Sequence, residues 1–194
     1  LGDRHFPIVM IDGIHLGDHL ILIALGIDFE GKKQVLGLRE GDTENNQVAK
    51  SLLGDLVERG LDPERARLFV IDGAKALTAG VREVFGAKAA VQRCTLHKRR
   101  NVADHLPDKE KASVDAKLVK AFGHPDPDQG LRNAQALAAS LERSYPGAAG
   151  SRREGLAEMF TVARLGIDGR LAKTLTTSNP VESMISIART TNRN

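Results

Sequence analysis

The sequence predicts an α/β fold: a mixed sheet with helices on both faces, then an all-helical stretch, then a last helix that returns to the sheet. Three observations predict it. Two apolar runs, Ile8-Val9-Met10-Ile11 and Leu68-Phe69-Val70-Ile71, each end in Asp-Gly. Strand-like segments are joined first by tight turns and later by segments of helical period, the pattern of an α/β chain. Between Asn101 and Thr174 no period-two alternation appears at all.

Phe6 to Asp12 reads as the first strand, with Gly13 and Gly17 marking the turn after it. Leu20 to Asp28 is apolar on both faces, as in a strand buried between two layers. Glu30 to Lys33 is a hairpin turn in which Gly31 supplies a positive φ, and Gln34 to Glu40 is the third strand. Asn45 to Arg59 places Val48, Leu52, Leu53, Leu56 and Val57 on one helical face, with Thr43 or Asn45 as cap and Gly60 as stop. Arg67 to Asp72 is the fourth strand. Lys75 to Phe85 is a helix with a stripe of Ala76, Leu77, Val81, Val84 and Phe85. Ala87 to Gln92 is a short fifth strand. The order β-β-β-α-β-α-β is that of the ribonuclease H-like fold.

Helical period then takes over. Thr95 to Leu106, Lys109 to Phe122, Gln129 to Tyr145 and Arg152 to Leu165 read as helices. Pro107 and Gly123-His124-Pro125-Asp126-Pro127 interrupt them. Pro146 to Ser151 reads as a loop of small residues, and Leu171 to Ser178 as a linker. Ser178-Asn179-Pro180-Val181-Glu182 has the form of a helix start. The expected organisation is a core over 1–100, a helical insertion over 101–174, and a final helix over 175–194. The chain starts beside a strand and stops inside a helical pattern, so a piece of something longer is expected.

Composition narrows the function. Of 194 residues, 41% are hydrophobic and 27% charged, as in an ordinary globular protein. Aromatic residues are only 4%, with no tryptophan, which argues against stacking of single-stranded bases. A net charge of +3 permits a nucleic-acid partner without requiring one. One cysteine excludes an internal disulfide framework and suits a reduced compartment. There is no signal peptide and no apolar run long enough to span a bilayer.

The chemistry centres on Asp12 and Asp72. Taken singly, each Asp-Gly reads better as a turn aspartate. Together they put two carboxylates at the ends of neighbouring buried strands, where a desolvated charge needs a partner. Glu182, in the first turn of the last helix, supplies a third. Three such oxygen donors suit magnesium, with manganese as a substitute, and two ions can clamp the attacking and leaving oxygens of a phosphoryl displacement. Cys94 and His97 form a C-x-x-H pair after the fifth strand. With no second cysteine they do not build a zinc site. They read as support for the carboxylate site or as plain core residues. Arg93, Lys98, Arg99 and Arg100 around them could grip a DNA backbone or form a solvated helix face. Arg189, Asn192 and Arg193 at the chain end could do the same, or complement the helix dipole. Asn179 is a further candidate contact.

Asp12-Gly13, Asp72-Gly73, Gln92-Arg93-Cys94-Thr95-Leu96-His97-Lys98 followed by Asn101-Val102, and Thr177-Ser178-Asn179-Pro180-Val181-Glu182-Ser183 together resemble the Mutator-type transposases, which include the insertion-sequence 256 family. The resemblance runs over nearly the whole chain and rests on the order and spacing of the motifs. It implies a DDE triad of Asp12, Asp72 and Glu182 on a ribonuclease H-like core, two magnesium ions, cleavage at transposon ends and strand transfer into target DNA. It also implies double-stranded DNA as partner, a homo-oligomer assembled on that DNA, and a bacterial, nucleoid-associated setting. Where the family often has tryptophan after the cysteine, this chain has Thr95. Two alternatives share the residues: a structure-specific nuclease of the same fold, and an inactive DNA-binding remnant.

Overall fold

A computed structural model describes residues 1, 4–16, 19–41, 46–153 and 155–191. The chain divides into two compact units, Leu1–Val91 with Ser178–Asn194, and Gln92–Thr177.

The first unit is built on a mixed five-stranded sheet: β1 (Ile8–Leu16), β2 (His19–Ile27), β3 (Lys33–Gly41), β4 (Arg67–Ile71) and β5 (Ala89–Arg93), in the order β3-β2-β1-β4-β5. β1, β2 and β3 form an antiparallel meander, whereas β4 lies parallel to β1. Parallel neighbours require a crossover, and α1 (Asn46–Glu58) lies in the connection that leads to β4. α2 (Lys75–Phe85) and a 3-10 turn then lead to β5.

One face of the sheet holds the main core. Val9 and Ile11 of β1, Leu22 and Ala24 of β2, Leu36 of β3, and Phe69 and Ile71 of β4 pack with Leu52, Leu53 and Leu56 of α1 and Leu77, Val81 and Phe85 of α2. Each such leucine contributes about 2 kcal/mol by leaving water. A bulge helps: Ala24 pairs with Gly37 and Leu25 with Val35, so Leu36 is the extra residue and turns into this core. Strand alternation sends Met10 and Val70 to the opposite face, where they are equally buried. There α9 (Asn179–Thr191) contacts β1.

β1 runs past Asp12. Asp12 pairs with Ile23 and Gly13 with Leu22, so the turn expected at Gly13 is strand instead. Glycine lowers strand propensity, but the ribbon to β2 continues to the pairing of Leu16 with His19. Gly17 and the cap candidates Thr43 and Asn45 lie outside the described residues. Gly31 and Gly60 have the expected positive φ, 78° and 100°.

The second unit is helical beyond the end of β5: α3 (Thr95–Ala103), α4 (Asp108–Phe122), α5 (Pro127–Leu141), α6 (Pro146–Arg153), a 3-10 turn (Leu156–Phe160), α7 (Thr161–Arg164) and α8 (Gly169–Leu175). Val102, Leu106, Val114, Leu118 and Leu141 form one core with Ala148 and Ala149. Here three expectations are corrected. Pro146 to Ser151 is helix, not loop: Pro146 takes the first helical position, and Ala148 and Ala149 are fully buried where α6 contacts α3 and α5. The expected linker after Leu171 is α8, anchored by the fully buried Leu175. The single helix expected over Arg152 to Leu165 is broken at Gly155, whose φ is 60°.

Candidate active site

Two backbone relationships place the carboxylates. Ile8 to Ile11 pair in parallel with Leu68 to Ile71. Asp12 and Asp72 therefore follow the same rung, Ile11 with Ile71. β4 ends at Ile71, so Asp72 directly follows the strand, whereas Ile11 faces the α1/α2 core and alternation directs Asp12, still paired in β1, to the opposite face. That is the face α9 contacts. Ser178 is fully buried before α9, its carbonyl accepts the amides of Val181 and Glu182, and the buried Val181 and Ile185 seat the helix. Glu182 lies in its first turn.

Asp12 is 3% exposed. One of its carboxylate oxygens lies within 4.8 Å of an oxygen of Glu182. Oδ1 of Asp12 accepts the Gly13 amide at 3.0 Å. Asp72 is half-buried, and it does not fall within the 4.8 Å grouping that takes in Asp12 and Glu182. Its Oδ1 accepts the Ala74 amide at 2.9 Å across Gly73, whose φ is 105°. Its other oxygen has no hydrogen-bond partner among the described residues. Two carboxylates this close, one of them buried, repel unless a proton or a cation lies between them. An all-oxygen donor set is what a hard divalent ion such as Mg2+ takes. The residues thus fit such an ion.

The basic cluster is largely occupied inside the second unit. Arg93 is 5% exposed, and its Nε donates to Glu158 Oε2 at 2.6 Å. A Cβ on Gly155 would meet the Arg93 guanidinium at 2.2 Å, so the left-handed glycine makes room for that side chain. Lys98 is buried and donates from Nζ to the Ser151 carbonyl at 2.7 Å. Arg99 forks onto both oxygens of Asp115, each at 2.6 Å. That hydrogen-bonded pairing holds the Asp115 carboxyl below the usual carboxylate range. Arg100 and Asn179 are exposed. Cys94 is fully buried just before α3, and His97 is half-buried on it. The side chain of Arg189, and Asn192 and Arg193 altogether, lie outside the described residues. Sequence reasoning missed Gln92, which is fully buried. Its Nε2 donates to the carbonyls of Arg93 and Met159, and its Oε1 accepts the Val162 amide at 2.9 Å. Met159 and Val162 lie about seventy positions away, so no local signal could reveal them.

A mixed α/β sheet with Asp12 on β1 close to Glu182 of α9, and Asp72 just past the end of β4, is what the geometry defines. Residues 2–193 match the model of the Mutator family of transposases, and the chain belongs to that family. It is 29% identical to a transposase for insertion sequence element IS6120 of Mycolicibacterium smegmatis, over 97% of this chain and 59% of that protein. It is 32% identical to a transposase for ISRM5 of Rhizobium meliloti, over 75% of this chain and 36% of that one. A probable insertion-sequence transposase of Corynebacterium diphtheriae matches at 26% over 99% of the chain and 57% of its own length. The chain thus spans less than two thirds of each of these relatives.

Proposed function

We propose that this chain is the catalytic domain of a DDE transposase with a ribonuclease H-like core, and that the helical unit is an insertion before its last catalytic helix. The shared rung of Asp12 and Asp72, with Glu182 drawn to Asp12, carries the reading. Asp12, Asp72 and Glu182 hold Mg2+ or Mn2+, two ions when the site is full. The ions supply charge neutralisation and an activated oxygen nucleophile at neutral pH. The residues contribute position. β1 and β4 fix two carboxylates side by side, and α9 delivers the third to the same face. Burial of Asp12 keeps water off one side of the site, which strengthens its charge interactions. The proposed reaction is hydrolysis at a transposon end followed by attack of the freed 3′ hydroxyl on target DNA.

Double-stranded DNA is the proposed partner, with a homo-oligomer assembled on it in the bacterial nucleoid. The exposure of Arg100 and Asn179 supports backbone contacts from them, with Arg189 and Arg193 as further candidates. The internal pairing of Arg93, Lys98 and Arg99 supports a structural role for those three. Cys94 and His97, at the start of α3 directly after β5, are proposed as support for the site. Among the described residues no helix is long and apolar enough to cross a membrane.

The test is strand transfer of pre-cut transposon ends into a supercoiled target in Mg2+. Transfer that is lost in Asp12→Asn, Asp72→Asn and Glu182→Gln supports the reading. Cleavage without transfer points to a nuclease, and neither activity with intact DNA binding points to a non-catalytic domain.

A further inference from the structure

At the other end of the same two strands lies a second concentration of charge. A cavity of about 300 Å3 in the first unit is lined by Arg4, His5, Asp62, Arg65 and Arg67, with Gly60 and Leu61. Three guanidiniums face one carboxylate there. Asp62 is already engaged, since its Oδ2 lies 3.2 Å from Arg65 Nε. Arg67 is the decisive residue. It opens β4, and only 6% of it is exposed. Its Nε donates to the Phe6 carbonyl at 2.8 Å and its Nη1 to the Asp62 carbonyl at 3.1 Å. Its guanidinium carbon stands 5.6 Å from the centre of the Phe85 ring. Among the described residues Nη2 has no hydrogen-bond partner, and no carboxylate pairs with the group. Burial accordingly pulls its pKa down. Asp62 offsets part of that cost through its charge, but a buried cation hydrogen-bonded to carbonyls alone is costly unless an anion completes it.

We infer that this cavity is an oxyanion site that takes a phosphate group, with Arg67 Nη2 at its base and Arg4 and Arg65 at its rim. Guanidinium N–H groups make charge-assisted hydrogen bonds to phosphate oxygens, and desolvation of the Arg67 group strengthens that contact. Arg4 uses one nitrogen on Gln34, and His5 stacks on Phe29 at 5.7 Å. Asp72 lies five positions beyond Arg67 along β4, roughly 17 Å at about 3.3 Å per residue. The site is therefore separate from the carboxylates and does not depend on the transposase reading. The same chemistry could come from a DNA backbone phosphate or from free phosphate.

The probe is inorganic phosphate, titrated calorimetrically into the 194-residue chain. Saturable binding is expected, matched by sulfate and not by chloride at equal ionic strength. The exposed pair Arg4→Ala/Arg65→Ala should weaken it at least about tenfold, and the distant exposed Lys109→Ala should leave it unchanged. Arg67→Lys, which keeps the charge and removes the Nη2 donor, should weaken it as well, with thermal melting to show that the variant is folded. A second arm measures non-specific duplex DNA. If the site holds a backbone phosphate, the double variant loses DNA affinity, its salt slope falls by about one or two, and phosphate competes with DNA. If the site holds free phosphate, DNA affinity stays unchanged while phosphate binding is lost. Absence of saturable phosphate binding, or equal affinity in the wild type and the double variant, overturns the inference.

Discussion

Ile11 and Ile71 are register partners in the parallel β1/β4 pair, so Asp12 and Asp72 follow the same rung, and α9 contacts β1. Glu182 then needs only the first turn of α9 to bring an oxygen within 4.8 Å of Asp12. Asp12 is the buried member of this set. Asp12→Asn removes a close like charge from Glu182, so in the absence of divalent ions the variant should melt at a higher temperature than the wild type. Saturating Mn2+ should stabilise the wild type and leave the variant nearly unmoved. Paired thermal melts with and without Mn2+ check both signs.

Gln92 holds the second unit through three buried hydrogen bonds. Gln92→Leu keeps the volume and leaves two carbonyls and one amide unsatisfied. Its cost should be about 2–3 kcal/mol. Urea denaturation should show the loss, with weakened hydrogen-exchange protection around Val162.

Gly155 sits at φ 60°, and a Cβ there would lie 2.2 Å from Arg93 Nε. Gly155→Ala should cost about 2 kcal/mol or more, from left-handed strain and from displacement of the Arg93–Glu158 pair. Gly54 has open space and helical surroundings. Gly54→Ala should raise stability by about 0.5–1 kcal/mol. The two glycines thus give opposite signs in the same melting assay.

Asp126 caps α5. Hydrogen bonds from the Gln129 and Asp128 amides hold its carboxyl below the usual carboxylate range. A depressed folded value means that the cap is at full strength above the ordinary pKa of about 3.9, and that its contribution is lost as pH falls through the folded value. Asp126→Ala should therefore be less stable than wild type at pH 7. The difference should shrink below about pH 4 and vanish once the carboxyl is protonated. Melting both proteins across that range checks the sign.

Legibility in the sequence followed the physics of each element. Lys75–Phe85 is read at both ends because its apolar stripe is strong and Gly73 and Gly86 bracket it. The apolar runs through Ile11 and Ile71 are equally plain, and so was their placement on neighbouring strands. The length of β1 was not legible, because Gly13 reads as a turn and only the pairing with Leu22 overrides it. α6 was hidden by two glycines, since its stability comes from burial of Ala148 and Ala149 and not from propensity. The basic run from Arg93 to Arg100 looked free because Glu158, Asp115 and Ser151 are remote in sequence.

The most direct measurement of the central claim is Mn2+ affinity, by calorimetry, of the wild type against Asp72→Asn. Asp72 stands outside the close pair and retains one unbonded oxygen, so its membership of the metal site is the sharpest expectation. Loss of one carboxylate ligand should weaken Mn2+ binding at least about tenfold, or about 1.4 kcal/mol. Equal affinity in the two proteins would contradict a site built from Asp12, Asp72 and Glu182.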